Sequence, residues 1–116
     1  MLLQALWSQK LKKLKLSESG DRGWFIGNFD KAVIRTDQFE VNWQTNARGH
    51  GTNHYHKIIT EVQLVTRGRM LVNGQIFETG DICVLEPGDI SQIDYLEEVD
   101  TVAIKFPSVP DDKYLL

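Results

Sequence analysis

The sequence predicts an all-β fold, a sandwich or barrel of short strands. Two observations carry this. Beyond about residue 20, short runs rich in β-branched and aromatic side chains recur between turn signals, and no helical period separates them. The turn signals are also specific: Asn73-Gly74 between two apolar runs is the strongest two-residue hairpin signal in the chain.

At the amino end Leu2, Leu3, Leu6, Leu11 and Leu14 follow a loose helical period, while Leu14-Lys15-Leu16 alternates like a strand. Residues 1–20 are therefore read as an arm or short helix. Its leucines and Trp7 need cover from the barrel or from a second subunit. Ser19-Gly20-Asp21-Arg22-Gly23 is a turn by composition, and Trp24-Phe25-Ile26-Gly27 begins a single body spanning 21–116. Strands are predicted over 32–35, 38–44 and 53–57, the last two separated by a flexible loop, Thr45 to Gly51. Further strands follow over 62–66, 70–72, 75–78 and 82–85, ending at Arg67-Gly68, Asn73-Gly74, Thr79-Gly80 and Glu86-Pro87-Gly88. A last strand, 101–106, precedes Pro107 and Pro110.

Length and charge narrow the classes. A chain of 116 residues holds one domain with a real core, and no second module. A net charge of −3 argues against nucleic acid, which wants a basic surface. Lys10, Lys12, Lys13 and Lys15 form a patch that Glu18 and Asp21 soon neutralise, too short for a membrane anchor. No apolar run approaches the roughly 20 residues that span a bilayer, and the order of apolar and basic residues at the start reverses that of a secretory signal. A cytoplasmic protein is expected. Cys83, the one cysteine, lies in the apolar run 82–85 and is read as core.

Chemistry concentrates at His54-Tyr55-His56 and Glu61. Residues two apart on a strand share a face, so both imidazoles point one way and Tyr55 the other. Four residues separate His56 from Glu61, enough to turn and set a carboxylate from the next strand beside them. Two neutral imidazoles and a carboxylate suit a divalent ion with open positions: iron, manganese, nickel or zinc. Such a site carries a net charge of about +1 and suits a small polar or anionic metabolite. Arg35, Arg48, Tyr55 and Gln92 are the candidates for ligand contacts.

These residues resemble the cupin superfamily, small double-stranded β-helix or jelly-roll barrels, and in particular its single-domain RmlC-like members. Gly49, His54, His56, Glu61 and Gly68 follow the first cupin motif. Gly80 and Gly88 follow the second, with Glu86 where a proline is usual. The second motif departs after two further residues: Ser91 stands where the family has its fourth metal ligand, a histidine. Gln92, Asp94 or His50 are possible substitutes for it.

The resemblance implies a jelly-roll barrel with His54, His56 and Glu61 as metal ligands, acting on or binding a small metabolite. The alternative is a non-catalytic cupin without metal that binds a carbohydrate or nucleotide sugar. A third reading is a structural module paired through the amino-terminal leucines. Open strand edges are a liability, so a homodimer is expected.

Overall fold

The computed structural model describes residues 10–116. Among them twelve strands follow in chain order: β1 (Trp24–Gly27), β2 (Ile34–Arg35), β3 (Glu40–Asn46), β4 (Gly49–His50), β5 (His54–Tyr55), β6 (Thr60–Arg67), β7 (Arg69–Val72), β8 (Gln75–Glu78), β9 (Ile82–Leu85), β10 (Ile93–Tyr95), β11 (Val99–Phe106) and β12 (Tyr114–Leu115). They make a six-stranded sheet in the order β2-β1-β3-β11-β6-β9, a four-stranded sheet β4-β10-β7-β8, and the pair β12-β5. The two larger sheets close on one interior.

Alternation builds that interior. On β6 Glu61, Gln63 and Val65 are buried while Leu64 and Thr66 are exposed, the period of two that a pleated strand imposes. β11 pairs antiparallel with β3 on one side and β6 on the other, and buries Val99, Thr101 and Ala103 on the same inner face. Val65, Met70, Val72, Cys83, Leu85, Ile93 and Val99 pack into one cluster, with Phe77 and Tyr95 against it. This cluster fills the interior between β6, β9, β7 and β10, with Cys83 and Leu85 opposite Gln63 and Glu61. The rest of the interior is polar.

Two turns fix the two ends of β7. Asn73 and Gly74 both have positive φ, 49° and 83°, and set Val72 opposite Gln75. The Asn73 side chain also donates to the Ile90 carbonyl and accepts from the Gln92 amide, tying the hairpin to the segment before β10. At Gly68, φ is 84° and an added Cβ would lie 2.4 Å from the Glu98 carbonyl, so this turn admits no side chain without movement.

Several elements differ from expectation. The loop 45–51 contains β4, held by β10. β10 and β12 have no counterpart among the expected strands, because strands of three and two residues carry too little pattern and take their geometry from partners. Residues 11–15 form no regular element, and Leu16–Glu18 is a single 3-10 turn, so the arm is neither helix nor strand there. Lys12, Lys13 and Lys15 would crowd like charges on a helical turn. Leu2, Leu3, Leu6 and Trp7 lie outside the described residues.

Candidate metal centre

His54 and His56 follow the loop that passes β10, and both are buried with 8% and 3% exposure. Tyr55 points the other way and stacks on Tyr114 at 5.3 Å. Glu61, 5% exposed, enters from β6. Its Oε1 lies 3.1 Å from His56 Nε2 and 3.9 Å from His54 Nε2. One ligand atom from each residue falls within 4.8 Å of the others.

The remaining polar atoms of the three residues are already committed. His54 Nδ1 donates to the Thr52 carbonyl at 2.9 Å, and His56 Nδ1 to the Asp112 carbonyl at 2.5 Å. A proton on each Nδ1 leaves each Nε2 on the Glu61 side, where His56 Nε2 donates to Glu61 Oε1 when the ring is protonated and offers a lone pair to an ion when it is not. Gln63 Nε2 donates to Glu61 Oε2 at 3.0 Å, which turns Oε1 toward the imidazoles. The backbone and Gln63 thus set tautomer and orientation before any ligand arrives.

Asp112 is the first of two residues at the site that the sequence does not announce. Its buried carboxylate accepts from the backbone amides of Lys57, Ile58 and Ile59 at 3.1, 2.9 and 2.9 Å, and its carbonyl holds His56. The tail after β11 therefore latches the turn between His56 and Glu61. Nothing in Pro110-Asp111-Asp112 announces this, since the contact spans more than fifty residues.

Electrostatics follow from these contacts. Burial pushes the Glu61 carboxyl up, but the nearby His54 imidazole, hydrogen bonds from His56 and Gln63 and the charge of Lys105 outweigh it and hold Glu61 far below the ordinary carboxylate range. The hydrogen bond to Glu61 raises His56 above the usual imidazole value, against burial. Burial likewise pushes Asp112 up, and the three amides and His56 bring it below its usual value. Burial raises the Cys83 thiol, consistent with its place in the core rather than in chemistry.

Lys105 is the second omission. It pairs with Glu61 across β11 and β6, so its side chain leaves the sheet on the same inner face. Its ammonium lies 4.8 Å from the Trp24 ring centre. A cavity of about 440 Å³ opens beside His54 and Glu61, walled by Trp24, Asn42, Gln44, Gln63, Thr101 and Tyr95. An adjoining cavity of about 260 Å³ reaches His56 and Asp112. Arg22, Lys105 and Lys113 line both. Burial and the charges of Lys105 and Arg22 hold the Lys113 amine below its usual value, with Glu61 opposing.

Ser91 lies where the sequence places it, directly beside His54. The two exchange backbone hydrogen bonds of 3.2 and 2.9 Å, so their side chains share a face. Ser91 is fully buried, and among the described residues its Oγ is the buried side-chain polar atom without a partner. A hydroxyl left so costs free energy unless water or a ligand completes it.

The other candidates lie outside the cavity lining. Arg35 is on the surface, donating to Asp30 and Asn28. Arg48 is exposed between β3 and β4. Gln92 is exposed, its amide bound to Asn73. His50 is exposed and hydrogen-bonds Asp94, so neither substitutes for the missing ligand.

The donor set fits a divalent ion. About 3 Å is the separation of neighbouring ligands that each bind one ion at about 2.1 Å and at right angles. The His56–Glu61 pair meets this, His54 Nε2 stands 3.9 Å from the same carboxylate oxygen, and Ser91 Oγ stands beside His54 with no protein partner.

No family model matches the sequence, and no curated protein matches it either. Solved structures do. A Klebsiella pneumoniae protein described as uncharacterized, with a double-stranded β-helix domain, is 16% identical over 95% of this chain and 96% of its own, at a TM-score of 0.66. A Streptomyces protein, PAC13, solved in a variant form with uridine, is 14% identical over 93% of this chain and 92% of its own, at a TM-score of 0.65. A sugar phosphate isomerase of the cupin superfamily from Silicibacter pomeroyi is 20% identical over 60% of this chain and 50% of its own, at a TM-score of 0.51. At these identities the likeness is one of fold. The chain is an all-β double-stranded β-helix, and its fold is that of the cupins.

Proposed function

We propose that the protein binds a divalent metal ion through His54, His56 and Glu61 and holds a small anionic metabolite in the adjoining cavity. The observation that carries this reading is the committed Nδ1 atoms: backbone carbonyls take both, which leaves the two Nε2 atoms, on the Glu61 side, as the nitrogens able to bind an ion. When bound, the metal supplies Lewis acidity, polarising a carbonyl or phosphoryl oxygen of the metabolite. The chain's own part is to hold and orient. Lys105, Arg22 and Lys113 give the cavity a positive wall for a carboxylate or phosphate, while Asn42, Gln44 and Gln63 offer amides to hydroxyls.

Stripping the protein and reloading it with iron, manganese, nickel or zinc tests this by elemental analysis. One equivalent of at least one metal is expected, with loss in His56→Ala and Glu61→Ala. Retention of none of the four at micromolar concentration sinks the reading.

A second reading has its own support. His56 and Glu61 already satisfy one another at 3.1 Å, and Lys105 adds a positive charge beside a cation site. This favours a metal-free cupin that binds a carbohydrate or nucleotide sugar. The PAC13 structure with uridine is a fold relative holding a nucleoside. On this reading His54→Ala and His56→Ala change ligand affinity and leave metal content at zero throughout.

A further inference from the structure

A fixed positive charge stands beside the candidate cation site. Lys105 lies directly opposite Glu61 across β11 and β6, on the inner face, where opposed side chains start about 4.5–5.5 Å apart at Cβ. A cation there repels a second cation, so it lowers the affinity of the bare site for a metal. Nor does its ammonium neutralise Glu61. The Trp24 ring holds the ammonium, 4.8 Å from the ring centre, while His56 and Gln63 hold the two Glu61 oxygens.

Lys113 is likewise unpaired. Among the described residues neither lysine has an ion-pair partner, and both line both cavities. Arg22 lines them too, but its side chain is 82% exposed and pairs with Asp21. The carboxylates are unevenly divided. Asp21, Glu40, Asp111 and Asp112 line the smaller cavity, where Asp112 serves three amides and Glu40 accepts from Ser108. The larger cavity has Glu61 alone. One carboxylate against two ammonium groups leaves it at about +1, and a divalent ion raises this to about +3.

Resting on the metal reading above, we propose that the site takes its ion and an oxyanion together, with Lys105 as the residue that couples them. A doubly charged or chelating oxyanion, a phosphate or a carboxylate, sits between the ion and the two lysines. Both attract it, and its charge removes the repulsion between them. Neither the ion nor the anion then reaches its full affinity alone. Such coupling is reciprocal: the factor by which the anion tightens the ion equals the factor by which the ion tightens the anion, about 5–150-fold in typical cases. The larger cavity, about 440 Å³, falls within the ~300–1,000 Å³ of small-molecule sites.

Equilibrium dialysis of the full chain against iron, manganese, nickel or zinc, with the free ion fixed by a chelator buffer, tests this in chloride alone, with inorganic phosphate and with glycolate. At least one of the two anions should tighten the ion by about tenfold or more, and its own retention should rise by the same factor when the ion is present. A response to phosphate alone assigns a phosphoryl group; a response to glycolate alone assigns a carboxylate. Lys105→Met keeps the length of the side chain and removes its charge. It should bind the bare ion more tightly than wild type and cut the anion's effect by about threefold or more, whereas Lys105→Arg should keep the effect. Equal ion binding in all three buffers overturns the proposal and leaves the metal reading standing. So does an anion effect unchanged in Lys105→Met, with circular dichroism as the check on folding. Absence of bound ion in every buffer overturns both.

Discussion

The apolar and polar parts of the barrel interior are built by the same strands and do opposite work. β6 contributes Val65 to the apolar part and Gln63 and Glu61 to the polar one; β11 contributes Val99 to the apolar part and Thr101 to the polar one. The apolar part buries seven side chains that need only shape and volume. The polar part buries Asn42, His54, His56, Glu61, Gln63 and Asp112, and each must be paired to be tolerated. Asn42 Oδ1 accepts from the Ala103 amide, Gln63 serves Glu61, and Asp112 serves three amides. The apolar part carries stability; the polar part spends some of it on a preorganised site.

Substitutions separate the two. Met70→Ala, at a fully buried position, should cost about 2–5 kcal/mol in urea unfolding and leave metal content per folded chain unchanged. A loss of metal in folded protein would show that the two parts are not independent. Asp112→Ala removes the acceptor of three amides and should cost about 1–3 kcal/mol while lowering metal affinity roughly 10–100-fold, read by chelator competition.

The same carboxylate gives a pH signature. Its folded pKa is depressed, so its contribution is fully present above the unfolded value of about 3.9 and is lost as pH falls through the folded one. Wild type should therefore lose stability more steeply below about pH 4 than Asp112→Asn, which has no proton to gain. Equal slopes would remove Asp112 as the latch.

Ser91 gives the finest tests. Ser91→His would restore the family's fourth ligand beside His54 and should slow metal loss to a chelator by at least tenfold if the ion is bound there. Ser91→Ala deletes a buried hydroxyl that has no protein partner and should change stability by less than about 0.5 kcal/mol. A larger loss would mean that the hydroxyl is satisfied by bound water or ligand.

Part of this was legible in the chain. His54, His56 and Glu61 could be read because a period of two and a short turn are local facts. Asn73-Gly74 could be read because two positive φ angles select those residues. Lys105 and Asp112 could not: each acts on the site from a strand or tail far along the chain, and only register or tertiary contact brings it there. The exposed apolar side chains Ile82 and Val84 on β9 were hidden for a related reason. A run such as Ile82-Cys83-Val84-Leu85 reads as a buried strand, and nothing local tells which alternate side chains face the interior.

By itself, then, the sequence determined the strand-and-turn grammar, the cupin-like barrel and the three facing donors, all properties of near neighbours. Tertiary structure decided which inner positions are polar, what holds each imidazole, that Arg35, Arg48, Tyr55 and Gln92 lie away from the cavity, and that Lys105 lies against it. Those outcomes depend on which strand lies beside which, and pairing between distant segments is set by closure of the whole barrel rather than by any segment alone.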